Sequence, residues 1–167
     1  MELPLLLDIV STAAVTAAIV FGLFQLRQYQ LARKRDSALI LLNSHQSSDF
    51  FRGILTILSI PDGLTKKEIE ETVGDGIELV YLVMATWESI GILVFRNEIP
   101  MDMVDDVHSG PLALSWQKLE PYVSGLRQEL QRETMFEWFQ WLAERMRERE
   151  KDRPPVPAHI AHAEWDG

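Results

Sequence analysis

Eighteen consecutive residues without a formal charge, Ile9 to Leu26 (IVSTAAVTAAIVFGLFQL), constrain this chain more than any other feature. With Leu5, Leu6 and Leu7 just upstream, the stretch approaches the ~20 apolar residues a helix needs to cross ~30 Å of hydrocarbon. A cleaved signal peptide would carry bases ahead of its apolar run, whereas this N-terminus carries Glu2 and Asp8. The sequence therefore predicts a short extracytoplasmic N-terminus over 1–8 and a transmembrane helix over 9–26. Arg27, Arg33, Lys34 and Arg35 follow directly, and a basic flank marks the cytoplasmic side. The expectation is a single-pass protein with its N-terminus outside and everything after Arg27 inside.

Of the 167 residues, 25 are acidic and 16 basic, a net charge of −9, and none is cysteine. Without thiols the chain forms no disulfide framework, no Cys-ligated zinc or iron–sulfur site and no thiol nucleophile. The acid excess opposes nucleic-acid binding, which needs a basic stripe against phosphates. Neither a Gly-x-Ser-x-Gly elbow nor a Gly-rich phosphate loop occurs. No catalytic residue, metal-ligand set or cofactor is predicted, and the partners expected are the lipid bilayer and other protein.

Downstream, the periodicity is helical throughout, so the fold class expected is all-α: the membrane helix continuing through a stem over 27–46 into a cytoplasmic bundle over 47–150. Ser47, Ser48 and Asp49 offer N-caps ahead of Phe50/Phe51, Ile54/Leu55 and Leu58. Thr65 with Glu68, and Asp75 with Glu78, fit the capping-box pattern. Leu79 to Phe95 holds Glu88 as its only charge, which reads as a bundle centre, with a second membrane span as the alternative. Met101 to His108 reads as a short acidic helix or loop. Leu112, Trp116, Leu119, Val123, Leu126 and Leu130 form a one-sided seam that Pro121 should kink or restart. Met135, Trp138, Phe139, Leu142 and Met146 mark the core face of a last helix, and a Pro-rich tail over 151–167 is expected to be disordered.

Glu88 draws attention because a carboxylate in an apolar helix must find a partner or take up a proton. Arg127, beside the apolar seam, is the expected buried ion-pair partner. Ala14, Ala18 and Gly22 recur every four residues, a small-residue face suited to self-association or to packing on another membrane protein. Phe136 and Trp141 fall beside the core face of their helix and read as a partner surface. An alternative, a metal-dependent enzyme or a channel or transporter subunit, would use Glu88 or the acidic loop of Asp102, Asp105, Asp106 and His108. His159 and His162 have ligand spacing in a tail with nothing to pre-organise them.

Trp87-Glu88-Ser89-Ile90-Gly91, the turn Asn97-Glu98-Ile99, Trp116 followed by Pro121, and Arg127 together resemble a family of small bacterial proteins known as a domain of unknown function. The resemblance runs from about Leu5 to Leu142. It implies one N-terminal membrane helix, a helical cytoplasmic domain and a place in the bacterial inner membrane, and it brings no activity. The Pro-rich stretch after Arg153 departs from that pattern.

Overall fold

The computed structural model describes residues 12–29 and 47–166, and no strand occurs among them. A helix over residues 12–29 (α1) is followed by α2 (Ser48–Ser59), α3 (Lys66–Val73), a 3-10 turn (Gly74–Gly76) and α4 (Ile77–Phe95). Then come α5 (Met101–Leu130), α6 (Glu137–Asp152) and the short α7 (Ala158–Ala161). The all-α expectation holds. α1 holds residues 12–26 of the expected span and residues 27–29 of the expected stem; residues 9–11 and 30–46 lie outside the described residues. Every residue of α1 is exposed, Val15, Ile19, Phe21 and Leu23 included.

Local chemistry sets the boundaries. Ser47 caps α2 by accepting the Phe50 N–H. Thr65 and Glu68 form the expected capping box on α3, with the Thr65 N–H donating to Glu68 Oε2 at 2.8 Å. The box expected from Asp75 and Glu78 does not form. Gly74, at φ 54°, turns the chain into the 3-10 segment, so Asp75 lies inside that turn and Gly76 takes the N-cap position of α4 without a side-chain cap. At its far end α4 closes in a Schellman motif around Asn97 at φ 56°: Asn97 N–H donates to Val94 O and Glu98 N–H to Leu93 O, both at 2.9 Å.

α4 is the centre of the bundle. Taken with α3, the run Lys66–Phe95 is long and apolar enough to cross a membrane by length and composition. In the fold, Val80, Val83, Met84, Trp87, Ile90 and Val94 are buried between α2 on one side and α6 on the other. α2 runs antiparallel to α4, since Phe50 stacks edge-on against Trp87 at 5.5 Å while Gly53 meets Leu79 and Val83. α5 lies across both α2 and α6, and ring pairs such as Trp87–His108 and Tyr81–Tyr122 tie it to α4.

α5 is longer than expected, and Pro121 does not restart it. It is one continuous helix of 30 residues that absorbs the acidic segment Met101–His108 and runs through both Pro111 and Pro121. Each proline removes one intrahelical donor, which would ordinarily break the helix. Here the carbonyls they strand are those of Val107 and Gln117, both exposed residues within reach of water, while Leu112, Trp116, Leu119 and Val123 stay buried on the opposite face. Burial of that seam outweighs two lost hydrogen bonds of about 1 kcal/mol each. In the tail, α7 forms a single helical turn, and residues 153–166 are exposed.

Candidate functional site

Of the residues singled out by the sequence, Glu88, Arg127 and Phe136 meet at the start of α6. Phe136, at the N-cap of that helix, offers no side-chain cap. The first N–H groups of a helix need acceptors, and the helix end attracts negative charge. Glu88 reaches across from α4 to supply both: its Oε2 accepts the Phe139 N–H at 2.7 Å, and the Trp138 N–H donates to the same carboxylate. One turn further along α4, Gly91 lets the helices touch, because a Cβ there would sit 2.5 Å from the Trp138 carbonyl oxygen. The Glu88 carboxyl is pushed above its ordinary pKa, first by burial, with the two backbone donors and the distant Arg127 charge pulling the other way.

The direct Glu88–Arg127 ion pair is not what forms. Arg127, in the last turn of α5, donates through Nε to Met135 O at 2.9 Å and through Nη1 to Gln140 Oε1 at 2.7 Å. Both residues therefore act on the same joint from opposite sides. Glu88 satisfies the donors of the α6 terminus, and Arg127 holds the carbonyl of the turn that precedes it. Trp116 completes the joint by meeting Phe139 edge-on, ring centroids 5.1 Å apart.

Phe136, expected on a partner surface, is buried against Tyr81 at 6.1 Å. Its φ of 55° places it in the turn before α6, so a helical wheel assigns it the wrong face. Trp141 is half-buried on the outside of α6, where it forms an aromatic cluster with Trp138 and Phe95. Phe95 is 56% exposed and was not singled out by the sequence. The signal for it was its position as the last residue of a largely apolar helix, directly before a polar turn.

Beside this cluster opens a cleft of about 610 Å³ between the end of α4, the turn into α5 and the outer face of α6. Val94, Phe95, Ile99, Met101 and Trp141 form its apolar wall, and Arg145, Glu148, Arg149 and Asp152 its rim. Arg149 is held by Asp102 and Asp105, which raise its pKa further. Arg145 pairs with Glu148 at 2.8 Å.

The acidic group expected to act together is thus divided. Asp102 and Asp105 serve Arg149, while His108 is buried against the Trp87 ring at 5.4 Å. Among the described residues no three His, Asp or Glu side chains are placed to hold a metal ion. Ala14, Ala18 and Gly22 lie on the exposed α1, and a Cβ at Gly22 would meet open space. His159 and His162 are exposed, and His162 lines a smaller cleft together with Asp105 and Asp106.

The fold and this joint define an all-α protein with one central apolar helix capped onto a neighbour. Residues 12–146 match the family described as Domain of unknown function (DUF4760), and the chain belongs to that family. No curated protein and no solved structure matches it.

Proposed function

We propose that this protein is a single-pass, membrane-anchored helical interaction module, its N-terminus outside a bacterial inner membrane and its bundle in the cytoplasm, that associates with itself or joins another membrane protein. The observation that carries this reading is α1, an apolar helix with every residue exposed, for which the bundle offers no cover. An apolar helix of that kind is stable where lipid or a second helix surrounds it. The basic residues from Arg27 to Arg35 support the orientation. The stripe Phe51, Leu55 and Leu58 on α2, exposed although apolar, supports an interaction role for the bundle itself.

Fusion reporters test the topology. A cytoplasm-active reporter joined after Asp152 is expected to give full signal and a periplasm-active one none, and the reverse pattern would reject the orientation. Self-association has its own test. Gly22→Ile is expected to lower the signal of a membrane two-hybrid assay at least several-fold, because it adds bulk where two backbones would touch, while Leu23→Ile leaves it unchanged. Equal signals from the two variants would remove the Ala14, Ala18, Gly22 face from the proposal.

A further inference from the structure

We propose that the cleft between the end of α4 and α6 binds an apolar organic cation, an ammonium group carried on a hydrocarbon body. Its volume of about 610 Å³ falls within the range of small-molecule sites. The rings of Phe95 and Trp141 stand nearly perpendicular, at 89° with centroids 6.0 Å apart, and form an aromatic corner in its wall. Ring faces carry negative potential and attract cations, above all quaternary ammonium groups that water holds weakly.

The charges select the same sign. Both guanidinium groups of the rim are already engaged by carboxylates, Arg149 by Asp102 and Asp105 and Arg145 by Glu148. An anionic ligand would have to displace them. Asp152, in contrast, lines the cleft with no hydrogen-bond or ion-pair partner among the described residues. With Asp102 and Asp105 behind Arg149, four carboxylates stand against the two guanidinium groups of the rim and Arg153 beside Asp152, an excess of one negative charge. Val94, Ile99 and Met101 offer the surface on which the hydrocarbon part rests. The cleft also lies toward the end of the bundle at which α2 begins, because α2 is antiparallel to α4 and Phe50, in its first turn, lies opposite Trp87. The ammonium group could therefore belong to a lipid headgroup or to a free amine.

The test uses the full chain in neutral maltoside micelles, with ligand-observed NMR and tryptophan fluorescence as readouts. Benzyltrimethylammonium is the cation and benzenesulfonate the anionic control, while choline is set against its uncharged isostere 3,3-dimethylbutan-1-ol. Both cations are expected to bind. Affinity should fall about tenfold in Trp141→Leu and about threefold in Asp152→Asn, with Phe51→Ala on the remote α2 stripe unchanged. Circular dichroism confirms that each variant is folded. Loss of benzyltrimethylammonium binding when phosphatidylcholine, but not phosphatidylglycerol, is added to the micelles assigns the site to a lipid headgroup. Binding unaffected by either lipid assigns it to a soluble amine. Absence of cation binding, equal binding of the uncharged isostere, preference for benzenesulfonate, or a folded Trp141→Leu variant that keeps full affinity would each overturn the proposal.

Discussion

Gly91→Val is expected to cost the bundle about 3 kcal/mol of unfolding free energy, the upper range for forcing extra bulk into a packed interior. The position is buried on α4, and the first atom added would lie 2.5 Å from the carbonyl oxygen and 2.9 Å from the carbonyl carbon of Trp138. Both are backbone atoms, so relief requires α6 to move away from α4. That motion pulls the Trp138 and Phe139 N–H groups off Glu88 and opens the Phe95, Trp138 and Trp141 cluster, so one substitution disturbs three sets of contacts. The control is Gly110→Ala. Gly110 sits inside α5 with nothing but its chain neighbours near its missing Cβ, and because Pro111 disfavours a helical residue with a Cβ before it, the gain from lost glycine freedom should be offset and stability should change by less than about 1 kcal/mol. Urea unfolding of the two variants measures both effects. If Gly91→Val unfolds at the same urea concentration as the parent, the close approach of α4 and α6 is not as described.

The sequence made the helices legible and left their contacts obscure. Ser47 and the Thr65–Glu68 box were readable because a cap is a local exchange of hydrogen bonds between residues three apart. Glu88 was readable as a group in need of a partner, since a carboxylate amid apolar residues is costly on any helix. Its partner was not readable. A search of the sequence for compensation finds opposite charges, and so arrives at Arg127, but the positive end of a helix is made of backbone N–H groups that no side-chain letter encodes. The same holds for Gly91, whose meaning depends on which backbone lies 2.5 Å away. Pro121 misled in the other direction, because proline's local cost is fixed while the burial of the opposite face of α5 is a property of the whole bundle. Trp87-Glu88-Ser89-Ile90-Gly91, recognisable as a motif without a stated reason, gains one here: Trp87 and Ile90 fill the core, Glu88 caps α6 and Gly91 admits it.

Glu88→Leu should then destabilise the bundle by about 2–3 kcal/mol at neutral pH, because it strands two partly buried donors at the α6 terminus. Glu88→Gln keeps an oxygen acceptor of the same reach and should lie within about 1 kcal/mol of the parent. The pH dependence separates the carboxylate from its amide. Burial raises the folded pKa of Glu88 above its ordinary 4.5, so between 4.5 and the raised value the folded state holds a proton that the unfolded state has released. In that window stability falls as pH rises: the contribution of Glu88 is fully present below 4.5 and is lost as pH climbs through the folded pKa. Glu88→Gln lacks this loss, so the difference between it and the parent should move in favour of the glutamine variant as pH rises above 4.5. A difference that is flat with pH would show that burial does not govern the group. Arg127 supplies the last comparison. A direct ion pair would let Glu88→Leu/Arg127→Leu recover most of what either single change loses. Since Arg127 instead holds Met135 O and Gln140, its loss frees a second side of the same joint. The double variant should therefore be less stable than either single one, and recovery in the double would mean that the two charges meet after all.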